Sequence, residues 1–286
     1  MKKFKLISIA VVVVIVCMAT TLQAQKKAKE ESLDMKVIEN SVAKITDNLY
    51  AGKYEVSNFL WIMFQKDLKA ANKLDELKTA QVDSLNWRDK LAYNEPYVAY
   101  YFRHPAYNNY PVVNISYEGA VLFCKWLTEK YNAYPKRQFK KVLFRLPTET
   151  EWRKVAGGTS KISAYPWGDR LILNGKYMCN YRVIGDENIT FRKDLNKFEV
   201  VKNQNSGVGS MNDAADITAP VTAYFPNTYG LFNVCGNVAE MIAEKGKIYG
   251  GGWRNSGWDV RTDAVDSYTT TATDIGFRYF MDIVEK

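Results

Sequence analysis

Apolar and polar positions alternate with several periods along the chain, and each change of period marks an element. Around Leu49 to Val56 the apolar residues recur as in a strand. Ser57 or Asn58 then caps a helix whose face carries Leu60, Met63, Phe64 and Leu68. Residues 69–95 are polar and helix-prone, with Trp87 inside them. Pro111 to Ser116 reads as a short strand ending at a capping serine. The next helix turns Ala120, Phe123, Cys124 and Leu127 inward, and Lys125, Glu129 and Lys130 outward. Cys124 on that apolar face is a packed thiol. Thr148 and Glu151 form a capping box, and Gly157-Gly158 should stop the helix it opens. Tyr165 to Asp169 is a turn. From 170 to 230 no period is sustained, and such a stretch inside a compact domain needs something to hold it, bound metal being one candidate.

The first residues follow a different rule. Lys2, Lys3 and Lys5 precede an apolar run from Leu6 to Val16, too short for a membrane span and suited to a signal peptide. Leu22-Gln23-Ala24 is a cleavage site, so residues 1–24 are read as signal peptide and 25–44 as a charged lead-in. The expectation is export to the periplasm or cell envelope, with no transmembrane span in the mature chain. Cys17 raises a lipoprotein alternative, but Val16 stands where a small residue usually precedes the lipidated cysteine. A single domain is expected over 45–286, since no linker or internal repeat divides it.

Charge excludes one class of partner. The formal net charge is +8, and +5 without Lys2, Lys3 and Lys5. The basic cluster Lys26-Lys27-Ala28-Lys29 is diluted at once by Glu30 and Glu31, so nucleic-acid binding is not indicated. The single histidine, His104, excludes any centre built on two or three histidines. Cys124, Cys179 and Cys235 show no C-x-x-C spacing, which argues against zinc.

Several segments then stand out together. They are KYEVSN (Lys53–Asn58), YPVVNISYEGAVLFCKWL (Tyr110–Leu127), FRLPTETEWRKVAGG (Phe144–Gly158) and YPWGD (Tyr165–Asp169). APV (Ala219–Val221), PNTYGLFNVCGNVAEM (Pro226–Met241), GGGWR (Gly250–Arg254) and IGFR (Ile275–Arg278) follow. In this order they resemble the sulfatase-modifying factor family, whose best-known member is the formylglycine-generating enzyme. The resemblance implies a single α+β domain of that type, related in topology to C-type lectins and rich in irregular structure. It also implies calcium. One site would use Asn233, Gly236, Val238 and Glu240, spaced as N-x-x-G-x-h-x-E. The other would use Asn180, the carbonyl of Tyr181, Asp213 and the carbonyl of Ala215, although the loop between them departs from the family pattern. These are hard oxygen donors, as calcium requires.

The catalytic residues of the enzyme do not carry over. It binds copper(I) through two cysteines and activates oxygen, and a soft metal demands thiolates. Aligned on Gly250 and Gly251, those positions are Asn255 and Val260 here. Gly252 replaces the serine of the oxygen pocket, and Ala239 replaces a tryptophan. Copper is therefore not expected. Cys235 lies nearby, in an ordinarily apolar position.

Three functions follow. The first is a non-catalytic, exported binding or scaffold component of the cell envelope, with envelope proteins as partners; related members serve secretion or gliding machines. The second is an enzyme of altered chemistry, working through cleft residues such as Arg254, Asp259, Arg261 or Tyr268. The third is glycan binding, with Trp253 and Trp258 stacking on sugar rings.

Overall fold

Helix ends in this protein are set by local side-chain chemistry. The computed structural model describes residues 33–88, 93–158, 163–183, 187–202 and 216–286. The expected signal segment, the start of the lead-in, and both Asp213 and Ala215 lie outside these described residues. Helix α1 (Met35–Asn40) leads into an antiparallel pair, β1 (Val42–Lys44) and β2 (Leu49–Gly52). Helix α2 (Asn58–Ala70) starts where Ser57 accepts from the Leu60 amide. Two short helices follow, α3 (Leu74–Thr79) and α4 (Glu95–Tyr100), with a 3-10 turn at Ser84–Trp87 between them. Helix α5 (Tyr117–Ala133) is capped by Ser116 through the Gly119 amide. Strand β3 (Lys141–Arg145) precedes α6 (Glu149–Ala156), whose capping box joins Thr148 and Glu151 as the spacing predicts.

The C-terminal half is strand-rich. It comprises β4 (Ile172–Leu173), β5 (Lys176–Tyr177), β6 (Glu187–Arg192), β7 (Lys197–Lys202), β8 (Ala239–Met241), β9 (Lys247–Tyr249), β10 (Val265–Ser267), β11 (Ile275–Gly276) and β12 (Phe280–Glu285). One sheet has the order β1-β2-β12-β3, and a second has β10-β9-β8-β11. This is the expected α+β arrangement. Helices α2 and α5 cover the first sheet, with Trp61 stacked on Phe123 at 5.7 Å and both rings edge-on to Phe277. A second apolar cluster joins Trp152 of α6 to Tyr249, Val260 and Phe280. Among the described residues, no helix is long and apolar enough to cross a membrane.

Two expectations are corrected. Pro111 to Ser116 forms no strand: it makes an isolated bridge from Pro111 to Ser57 and separate backbone hydrogen bonds from Val112 to Val56 and from Asn114 to Ala272. Pro111 lacks an amide donor, and Asn114 at φ 60° breaks the extended run. The stretch from 170 onward is also not uniformly irregular. It holds two hairpins, β4–β5 and the longer β6–β7. The first turns on Asn174-Gly175, both at positive φ, the Asn-Gly signature of a tight hairpin.

Two connections position the site. Strand β12 pairs with β2 and β3 simultaneously, bringing the segment before it against the residues that leave β2. Strand β11 runs parallel to β8, with Gly276 opposite Glu240. Side chains two residues apart face the same way along an extended chain, so Arg278 is delivered towards Glu240.

Candidate functional site

The run Gly250-Gly251-Gly252 brings backbone close to other backbone. A Cβ on Gly251 would stand 2.8 Å from both the Asp259 carbonyl and Val260 Cγ1, and its φ is +58°. Only glycine permits both the conformation and the approach. The loop that folds over it is closed by its own polar side chains. Asn255 Oδ1 accepts from the Gly252 amide at 2.7 Å, and the Asn255 amide donates to the Gly252 carbonyl at 2.9 Å. Asp259 Oδ2 accepts from Ser256 Oγ at 2.6 Å. Val260 is wholly buried in the second apolar cluster. The three candidates Asn255, Asp259 and Val260 thus shape the loop.

Both candidate tryptophans have a face occupied by arginine. The Arg261 guanidinium lies 3.4 Å above the Trp258 ring centroid, and its Nε donates to Asp263 at 2.8 Å. Trp253 lies nearly parallel to buried Trp87, centroids 6.3 Å apart, while the Arg254 guanidinium sits 5.6 Å over its ring. The Trp253 indole donates to the Thr273 carbonyl at 3.0 Å. Neither ring is the bare stacking platform that glycan binding calls for. Tyr268, another candidate, lies apart from this loop: its amide donates to Gly246 and its hydroxyl is buried.

Beside Trp253 opens a cavity of about 630 Å³. Its walls come from the 3-10 turn (Trp87, Arg88), from α4 (Tyr97), from the residues after β5 (Arg182) and from Trp253-Arg254. The Arg182 amide donates to the Asn255 carbonyl at 2.8 Å, which ties this wall to the glycine loop. Sequence reasoning found only Trp253 and Arg254 of these residues. The others are far apart along the chain, and no local pattern joins them.

Behind the loop lies a buried polar network holding the first set of expected calcium ligands. Glu240 and Arg278, each about 1% exposed at the side chain, form an ion pair of 2.6 Å. Arg278 Nε lies 2.8 and 2.9 Å from the two carboxylate oxygens, and the Trp152 indole donates to Oε2 at 2.7 Å. The rest of the guanidinium donates to the carbonyls of Gly52, Lys53 and Phe232. Asn233 and Asn237, both at positive φ, turn their amides onto Glu55 at 3.1 and 2.7 Å. The Val238 amide donates to the same carboxylate at 3.2 Å. Burial, and then the nearby charge of Glu240, push the Glu55 carboxyl up to about 8; Arg278 and the asparagine amides oppose the rise. Gly236 belongs to this set through its backbone: a Cβ there would stand 2.3 Å from the Asn180 carbonyl.

This geometry tests the fit of a divalent cation. In the first set the one carboxylate, Glu240, already faces a cation, and its oxygens are engaged by Arg278 and Trp152. Asn233 Oδ1 of the same set is buried with no hydrogen-bond partner, an orphan oxygen open to a hard cation. The second set offers an orphan oxygen as well. Asn180 is buried and its Oδ1 has no hydrogen-bond partner, although its amide donates to Ile217 and Asn237. A buried orphan oxygen next to Tyr181 suits a hard cation. Its expected partners Asp213 and Ala215 lie outside the described residues. Among the described residues, Cys124, Cys179 and Cys235 are buried, and burial pushes each thiol up, away from thiolate character.

The Sulfatase-modifying factor enzyme 1-like domain model matches residues 15–283. The chain belongs to that family. Within this sulfatase-modifying factor family, a Formylglycine-generating enzyme of Thermomonospora curvata is 33% identical over 48% of this chain and 34% of its own length. An "Inactive C-alpha-formylglycine-generating enzyme 2" of Bos taurus is 26% identical over 67% of this chain and 52% of its own length. The alignments therefore span between about a third and a half of these relatives. Among solved structures, PvdO from Pseudomonas aeruginosa superposes with a TM-score of 0.52 at 16% identity, covering 82% of this chain and 80% of that one. The likeness to it is one of fold. The residues that sequence reasoning missed at the network, Glu55 and Arg278, lie inside two of the segments that carry the family resemblance, KYEVSN and IGFR.

Proposed function

We propose that this sulfatase-modifying factor relative is a non-catalytic binding module, exported to the cell envelope and joined there to a protein partner. One observation carries the reading. The positions where the resemblance puts copper-binding cysteines hold Asn255, which closes the loop, and Val260, which is buried in the core. Neither supplies a thiolate, and the buried thiols of the chain stand elsewhere. Relatives described as inactive add support from outside the chain. The covered faces of Trp253 and Trp258 make glycan stacking the weaker alternative. A part in a secretion or gliding machine is the setting we propose, resting on the family resemblance and the signal-like first residues.

The test is oxygen uptake by the purified chain given copper(I) and a cysteine-containing peptide. No uptake above the protein-free control is expected. Sustained turnover would sink the reading.

Calcium belongs to the same proposal, at Asn180 and Tyr181 with Asp213 and Ala215. The Asn180 side-chain oxygen and the carbonyls would supply neutral donors, and Asp213 the charge. A bound ion would tie the loop after β5 to the segment before Ile217. Melting temperature should rise with added calcium, as it must for any ligand that binds the folded state alone. Asn180→Ala should abolish that rise. An equal rise in the variant would remove Asn180 from the site.

A further inference from the structure

The cavity beside Trp253 has a charge pattern that the binding-module reading does not use. Three arginines line it, Arg88, Arg182 and Arg254, against one acidic residue among the described residues, Asp216. Their commitments differ. Arg88 is paired with Glu95 at 2.7 Å, but both side chains are more than half exposed, and such a pair exchanges readily. The Arg182 side chain is exposed and makes no ion pair among the described residues. Arg254 is also exposed and lies over Trp253. Burial raises the carboxyl of Asp274, and the charge of Arg254 opposes that rise.

A guanidinium presents a rigid fork of donors that matches a carboxylate in two hydrogen bonds. Three arginines around one concavity favour negative charge there. The rest of the wall mixes aromatic rings, those of Trp87, Tyr97 and Trp253 among them, with the polar side chains of Asn86, Asn94 and Thr273. A ligand that satisfies this wall carries carboxylates together with groups that pack on aromatic rings. Sugar acids would need an open aromatic face, and Trp87 is buried while Trp253 is flanked by Trp87 and Arg254. A cavity of about 630 Å³ is ample for a short turn of chain.

We infer that this cavity docks an acidic segment of a protein partner, its aspartate or glutamate side chains held by Arg88, Arg182 and Arg254. The inference rests on the reading of the chain as a binding module and adds the chemistry of what it binds. It also gives the glycine loop a role: the Asn255 carbonyl fixes the backbone that carries Arg182.

The experiment uses the full chain and two fluorescein-labelled hexapeptides of alternating charged and leucine residues, one with glutamate and one with lysine. Fluorescence anisotropy should show binding of the glutamate peptide only, weakening as sodium chloride is raised. Arg182→Gln with Arg254→Gln should weaken it at least about tenfold, the loss of one charge-assisted contact or more. A control pair on a distant face, Lys69→Gln with Lys125→Gln, should leave it unchanged. Both arginines are exposed, and the melting temperature checks that the variant is folded. Equal binding of the two peptides, or an unaltered affinity in the arginine variant, overturns the inference. So does preference for an oligoglucuronate over the glutamate peptide. If an envelope partner is captured equally by wild type and the arginine variant, the docking site fails while the binding-module reading survives.

Discussion

Replacing Arg278 by methionine should lower the unfolding free energy by about 3–5 kcal/mol, the usual cost of stranding one member of a buried ion pair. Methionine replaces the aliphatic stem but not the guanidinium head, so a small cavity adds to the electrical loss. Glu240 loses the arginine it pairs with, and both groups are about 1% exposed, so water cannot replace it. The carbonyls of Gly52, Lys53 and Phe232 lose a donor at the same time. An unsatisfied buried acceptor costs about 1–3 kcal/mol, which places the expected loss towards the upper end of the range. Adding Glu240→Gln should recover part of the loss, because the stranded charge goes while the carbonyls stay unpaired. Guanidinium unfolding of the two variants measures both effects. If the single variant unfolds within about 1 kcal/mol of wild type, or if the two changes simply add, the pair is not the anchor between β8 and β12.

The parts of this fold that were legible in the sequence are those governed by neighbours. Ser57, Ser116 and Thr148 cap helices through amides three residues on, and a three-residue rule needs no knowledge of the rest of the chain. Asn174-Gly175 was equally local, but its strands are only two residues long, too short for an alternating pattern to announce them. The network is a different case. Glu240 and Arg278 are 38 residues apart, and Glu55 meets Asn237 across 182. Each lies in a segment that marks the family, yet only the parallel β8–β11 pairing and the insertion of β12 between β2 and β3 bring them together. The cavity is less legible still. Arg88 and Arg182 each read as an ordinary surface arginine and Arg254 only as part of the glycine loop, and the three meet around one cavity only in three dimensions. The tryptophans misled for a related reason: an exposed stacking ring and a ring covered by arginine have the same sequence signature.

Glu55 leads to the second large effect, a dependence of stability on pH. Its carboxyl is raised to about 8 in the folded protein, first by burial and then by the charge of Glu240, from an ordinary value near 4.5. Between those two values the folded state therefore holds a proton that the unfolded chain releases. The stability from this group is fully present below about 4.5 and is lost as pH rises to about 8. The slope approaches about 1.4 kcal/mol per pH unit where the two states differ by a whole proton. Glu151 works in the opposite sense: Arg145 holds its carboxyl down at about 2, so its contribution appears above the ordinary carboxylate range and is lost only in acid. Asp274, raised by burial, has the same sign as Glu55. A single curve would mix these groups, and a difference between two curves separates them. Glu55→Gln keeps the shape and an acceptor for the amides of Asn233 and Asn237 but cannot ionise. Urea unfolding of both proteins from pH 5 to pH 8 should give a wild type that weakens faster than the variant, so that their difference shifts steadily in favour of Glu55→Gln. Parallel curves would mean that Glu55 is already ionised at pH 5. In that case the two asparagine amides, the Val238 amide and Arg278 together outweigh its burial.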